Sequence, residues 1–159
     1  MLGSSAATVP ASSTSLLRTS ILFMGMMTLA ALDATLRSYE RGQAVADIPV
    51  WRMISAPLET LRTRAEAWRD RLIAHGLPAT TQPGESAVGG GSLPGETLPT
   101  VVLALASPAP DALAHRLRAA DQPLICRIQA DRLLFDPRTV LPETDNDLIA
   151  TILRAWSTD

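Results

Sequence analysis

The chain has 159 residues, 47% of them hydrophobic and only 4% aromatic, with a formal net charge of −2. That length suits one domain, or one domain with a tail, around a core that must be aliphatic. The slightly acidic balance argues against a stand-alone nucleic-acid clamp, which needs a basic excess.

Residues 1–26 read as a leader distinct from the domain at 27–159. Positions 3–20 are rich in Ser, Thr and Ala, with Arg18 as the one charge. An apolar stretch from Ile21 runs to Leu32, where Asp33 stops it. It is shorter than the roughly 20 residues that span a bilayer, so no membrane partner is expected. A signal-peptide core has that length, but the flanks lack its basic start and small-residue cleavage site. A non-native or remnant leader before a cytoplasmic domain fits better.

Thr28 to Tyr39 predicts a helix, because Leu29, Leu32, Leu36 and Tyr39 recur at three- and four-residue spacing. Gly42 supplies a stop. Ile48 to Ile54 reads as a linker in which Pro49 forbids helix continuation. Pro57 suits the first turn of a second helix, which runs to about His75 and ends at Gly76. Its apolar stripe is Leu58, Leu61, Ala65, Trp68 and Leu72, opposite Glu59, Arg62, Glu66 and Arg69. Residues 76–99 hold Pro78, Pro83, Pro94 and Pro99 with Gly84, Gly89, Gly90, Gly91 and Gly95 and read as irregular, a linker or a shaped loop.

Thr100 to Leu105 predicts a short apolar strand, central in a sheet. A helix opens at Pro110 or Asp111 and reaches about Ala120, with Leu113 and Leu117 facing in. Leu124–Ile128 and Arg132–Asp136 read as two strands of a hairpin turning at Ala130-Asp131. Cys126, the single cysteine, excludes an internal disulfide, and its apolar neighbours mark a buried, inert thiol. Thr144 is read as the cap of a last helix carrying Leu148, Ile149, Ile152, Leu153 and Trp156. The fold class expected is α+β, a small antiparallel sheet with helices packed on one face.

Chemistry that could stand alone is hard to find. Gly84 to Gly91 has the outline of a phosphate loop, but Gly90 and Gly91 occupy its lysine and hydroxyl positions. No GxSxG elbow surrounds Ser92. His75 ends a helix and His115 sits beside Arg116, so both read as surface residues. No zinc-type spacing is present, Asp145 and Asp147 read as first-turn helix charges, and no metal is expected.

Four segments recur in an order that carries more. They are Thr28-Leu29-Ala30-Ala31-Leu32-Asp33-Ala34-Thr35-Leu36, Ile48-Pro49-Val50-Trp51-Arg52-Met53, the run Val88-Gly89-Gly90-Gly91-Ser92-Leu93-Pro94-Gly95-Glu96-Thr97-Leu98-Pro99, and Asp131-Arg132-Leu133-Leu134-Phe135-Asp136-Pro137-Arg138-Thr139-Val140-Leu141-Pro142-Glu143 after Arg127-Ile128. Together they resemble the C-terminal region of bacterial selenocysteine synthase, the L-seryl-tRNA(Sec) selenium transferase. The resemblance covers about residues 27–159. It implies the small C-terminal domain of a fold-type-I pyridoxal phosphate enzyme of the cytoplasm. Such an enzyme turns seryl-tRNA(Sec) into selenocysteinyl-tRNA(Sec) with selenophosphate and works as a homo-oligomer.

The family holds its cofactor as a Schiff base on a lysine of the large domain. All fourteen basic side chains here are arginine, so this chain has no lysine. Arginine stays protonated and is no usable amine nucleophile. The resemblance therefore implies a chain inactive alone, with no covalently bound pyridoxal phosphate and no catalytic residue of its own. The arginine-rich stretch that precedes the first helix in the family is replaced by Thr19 to Met26, which suggests a truncated or frame-shifted gene. Substrate-pocket candidates are Gly89, Gly90, Gly91 and Ser92, where backbone can approach a ligand, and Arg138, which would meet phosphate or selenophosphate. Pro137 departs from the leucine-like residue usual there. The alternatives stay open: Arg138 paired with Asp136 or Glu143, the glycines merely turning, and the whole chain a non-catalytic oligomerisation or interaction domain.

Overall fold

The computed structural model describes residues 11–89 and 95–157, with side chains from residue 23 onward. It divides into two compact units, residues 1–48 and 49–159.

The first unit holds α1 (Ala11–Glu40) and the short α2 (Ala44–Asp47). The expected helix at Thr28–Tyr39 lies inside α1, which begins earlier and crosses position 26 unbroken. No proline follows Pro10 until Pro49, so nothing forces a break. The hydroxyls of Thr28 and Thr35 donate to the carbonyls four residues back, at 2.9 Å each. Gly42, at φ 67°, ends α1 as expected, with its N–H donating to the Tyr39 carbonyl. Buried Ser38 then donates to Asp47 Oδ2 at 2.6 Å and closes α1 onto α2.

The second unit runs α3 (Pro49–Ser55), α4 (Leu58–Ala74), β1 (Ala79–Ala87), β2 (Thr97–Ala106), α5 (Pro110–Arg118), β3 (Arg127–Gln129), β4 (Arg132–Phe135) and α6 (Asp145–Trp156). Single 3-10 turns at Pro137–Thr139 and Pro142–Thr144 join β4 to α6. The sheet is antiparallel throughout, in the order β1-β2-β4-β3. This is the α+β architecture expected from the sequence, with β2 internal.

Helices cover one face. Leu103, Leu105, Leu133 and Phe135 share a core with Trp68 and Leu72 of α4, Leu113 and Leu117 of α5, and Leu148, Ile149 and Ile152 of α6. Val102, Ala104 and Leu134 alternate with them and form a separate small cluster on the other face, as the two-residue period of a strand requires. Gly76, at φ 80°, stops α4 where expected, and Leu77 N–H reaches back to the Leu72 carbonyl. Ala130 and Asp131 both take positive φ, 50° and 57°, the geometry of a two-residue primed turn between β3 and β4.

Four expectations need correction. The strand expected at Leu124–Ile128 is confined to Arg127–Gln129, since the Leu124 N–H bonds the Leu117 carbonyl of α5 and not a neighbouring strand. Ile48–Ile54 is not a linker: Pro49 opens α3, where its missing N–H costs nothing because first-turn donors have no helical partner. Residues 76–99 are not irregular throughout, since Ala79–Ala87 forms β1 and β2 already starts at Thr97. Pro83 is tolerated because β1 is an edge strand. Gly84 leaves room for its neighbours, as a Cβ there would lie 3.3 Å from Val102 Cγ1. Finally, Thr144 occupies the N-cap position of α6 without capping it; its hydroxyl donates to the Leu141 carbonyl at 2.8 Å.

The helical face sets stability. Leu72 is fully buried in the larger core. Leu72→Ala should lower unfolding free energy by about 2–5 kcal/mol in urea titrations, whereas exposed Ile73→Ala should change it by less than about 1 kcal/mol.

Candidate functional site

The segment from Asp136 to Pro142 follows β4 and is where the second unit's polar contacts converge. Asp136 is the N-cap of the first 3-10 turn. Its Oδ1 accepts from the Arg138 N–H at 2.9 Å and from Thr100 Oγ at 2.8 Å. Its Oδ2 accepts from Ser86 Oγ at 2.5 Å. One carboxylate thus holds both legs of the β1–β2 hairpin and the turn behind it.

Arg138 is only 7% exposed. Its Nη1 donates to the carbonyls of Met53 at 2.8 Å and Ile54 at 3.1 Å, with Ala56 at 3.4 Å. Its Nη2 donates to the Pro99 carbonyl at 2.7 Å, and its Nε is buried without a partner. The guanidinium pairs with neither Asp136 nor Glu143. A buried cation without a carboxylate is costly, and here the carbonyl oxygens of α3 and β2 offset that cost.

Arg64 of α4 makes the complementary contact on the helical side. It donates to both Asp145 oxygens, Nη2–Oδ1 at 2.5 Å and Nε–Oδ2 at 3.1 Å. It also reaches the carbonyls of Pro137 at 2.7 Å and Val140 at 2.9 Å. Its guanidinium carbon lies 5.3 Å from the centre of the Trp68 ring, within cation–π range. Arg52 forms an exposed fork with Glu143, Nη2–Oε2 being 3.2 Å. A cleft of about 100 Å³ runs between these groups, lined by Arg52, Met53, Thr60, Arg64, Arg138 and Pro142 among others. A wider cleft of about 240 Å³ is bordered by Asp136 with Ser86, Cys126, Arg127, Leu134 and Thr139.

Of the candidates named from sequence, Gly89 and Arg138 are described; Gly90, Gly91 and Ser92 lie outside the described residues. Gly89 has φ 61°, a left-handed turn position that suits glycine. Val88 N–H donates to the Glu96 carbonyl at 3.1 Å, so the two legs are still bonded where the glycine run begins. Arg138 reaches the following leg at Pro99, and Asp136 reaches the preceding leg at Ser86. Cys126 is only partly buried, short of the burial expected from its apolar neighbours, and that partial burial raises its thiol pKa. His75 and His115 are exposed, and His75 Nδ1 lies 2.8 Å from the Arg71 carbonyl oxygen. Among the described residues no group of three His, Cys, Asp or Glu side chains could hold a metal.

Sequence reasoning named Asp136 only as a possible partner of Arg138, and it missed Ser86, Thr100 and the Arg64–Asp145 pair. The Asp-x-Arg spacing at 136–138 was a usable local signal. The pairing of Arg64 with Asp145 was not, since 81 positions separate them.

Glu143 is exposed, and its own backbone N–H together with the Arg52 guanidinium holds its carboxyl below the ordinary value of 4.5. A lowered folded pKa contributes stability above the unfolded value and loses it as pH falls through the folded one. NMR titration should place the Glu143 midpoint below 4.5, and Arg52→Gln should move it upward.

Comparison with known proteins places these segments in a family. The family model described as L-seryl-tRNA selenium transferase matches residues 13–141. The L-seryl-tRNA(Sec) selenium transferase of Solidesulfovibrio magneticus is 47% identical over 137 residues, covering 80% of this chain and 28% of that protein. The enzyme of the same name from Geobacter sulfurreducens is 40% identical, covering 79% of this chain and 28% of its own length. That from Moorella thermoacetica is 37% identical over 86% of this chain and 30% of its own length. The chain therefore spans under a third of the relatives it matches, and across that span it belongs to the L-seryl-tRNA selenium transferase family.

Proposed function

We propose that this chain corresponds to the small C-terminal domain of a fold-type-I selenocysteine synthase, and that it serves selenium transfer only with the rest of a complete family enzyme. The observation that carries this is the family match across residues 13–141 in a chain with no lysine. The complete enzyme would act in the cytoplasm on seryl-tRNA(Sec) and selenophosphate. Among the described residues no helix is long and apolar enough to cross a membrane.

Pyridoxal phosphate, the cofactor the family reading implies, does not fit this chain as a covalent holder. Its usual anchor is a lysine amine, and guanidinium groups do not replace it. The arginines lining the smaller cleft are committed elsewhere: Arg52 to Glu143, Arg64 to Asp145, and Arg138 to backbone carbonyls. In this reading Gly89, Gly90, Gly91 and Ser92 border a substrate pocket completed by other parts of the enzyme. Arg138 shapes that border and does not receive the anion itself. A net charge of −2 leaves attraction of the tRNA to those other parts.

A second reading, an interaction domain, is favoured by one observation. Leu29, Leu32, Leu36 and Tyr39 share a stripe of α1, and each is at least 50% exposed. Phe23, Met24, Met26 and Met27 are exposed as well. Helical faces this apolar mark contact surfaces.

Two measurements test these readings. Borohydride reduction after incubation with pyridoxal phosphate, followed by peptide mapping, should find no pyridoxyl group on any side chain, and the chain alone should make no selenocysteinyl-tRNA. A side-chain adduct or turnover by the isolated chain would sink the first reading. For the second, light scattering should show a homo-oligomer that Leu32→Glu with Leu36→Glu converts to monomer; a monomeric wild-type chain would remove it.

A further inference from the structure

We infer that Asp136 and Arg138 are a positioning pair that couples the carboxyl end of α3 to the stem of the glycine hairpin, with Arg138 capping α3 from outside the helix. The inference goes beyond the selenium-transfer reading and stands on hydrogen bonds alone.

The geometry is built from three places in the chain. Ser86 and Thr100 lie on opposite legs of the hairpin, in register with Leu98 and Gly84. Both side chains fall on the face that carries Val102, and both hydroxyls donate to the Asp136 carboxylate. The chain then turns through Pro137, and the Arg138 backbone N–H returns to Asp136 Oδ1. This fixes the direction in which the Arg138 side chain leaves.

That side chain ends at carbonyls which secondary structure leaves open. Met53 and Ile54 belong to the last turn of α3, whose carbonyls lack helical partners. The same end carries the negative pole of the helix dipole, which favours a cation. Pro99 belongs to β2, immediately before Thr100. A single planar guanidinium therefore bridges α3 and the hairpin, and the neighbouring carboxylate grips the hairpin a second time. A lysine could not do this, because one ammonium cannot reach carbonyls on both sides of a rigid fork.

The β1–β2 stem and the Asp-Pro-Arg-Thr segment each supply half of one hydrogen-bonded assembly. It also means that the hairpin stem and the α3–α4 junction open together.

Hydrogen exchange on the full 159-residue chain tests this. Thr100→Val keeps the side-chain shape and deletes one donor. It should speed exchange of Val88, whose N–H bonds Glu96, roughly ten-fold. It should also speed amides at 52–58, with α5 and α6 unchanged. Thr100→Ser should restore wild-type rates at both places. Arg138→Gln, if folded, should show the same paired loosening more strongly. Faster exchange confined to the hairpin, or spread evenly over α5 and α6, would overturn the coupling. The readout is exchange and not turnover, so that failure would leave the proposed enzyme role untouched.

Discussion

A guanidinium buried without a carboxylate has to be satisfied by something else, and in this protein the chain wraps around that requirement. Arg138 is solvated by the carbonyls of Met53, Ile54 and Pro99 in place of water. Those carbonyls belong to a helix end and a strand, so the demand of one side chain specifies where α3 sits against β2. Asp136 works beside it with opposite chemistry, accepting from two hydroxyls and one N–H. Removing either group would strand buried polar atoms, which costs more than the net gain of an ordinary hydrogen bond.

The exclusive use of arginine takes on a structural sense here. Arg64 contacts a carboxylate, two carbonyls and an aromatic ring with one planar head. Arg116 fastens α5 to α6 through the Ala155 carbonyl at 2.9 Å. Arg71 reaches Asn146 of α6 from α4 at 2.8 Å. The Arg64 contacts depend on several fixed N–H directions, which an ammonium lacks. The apolar core supplies most of the driving force, and the arginines choose the arrangement of elements around it.

The same chemistry separates scaffold from catalysis. A chain with no lysine offers no side-chain amine for an imine, and its buried Arg138 is occupied by backbone carbonyls. The described residues hold a β1–β2 hairpin tied to Asp136 through Ser86 and Thr100, and a long helix with an exposed apolar stripe. The chain covers under a third of each relative compared.

Much of the fold was legible in periodicity. The stripe of α4, the inward leucines of α5 and α6, and the stops at Gly42 and Gly76 all follow from spacing and backbone freedom, which are local properties. β1 was not legible, because Pro83 and Gly84 read as breakers until an edge position makes them harmless. α3 was hidden for a related reason, since a proline forbids a helix interior and favours a helix start. At the site, the importance of Arg138 could be read from its motif, but its partners could not. Sequence alone determined α4, α5 and α6 with their buried faces, the family and the missing amine, because composition and local spacing carry those. Only tertiary structure decided that Arg138 faces carbonyls, that Asp136 joins two strands and that Arg64 meets Asp145. Those contacts join residues far apart in the chain, and no local pattern encodes which distant partner a buried charge will find.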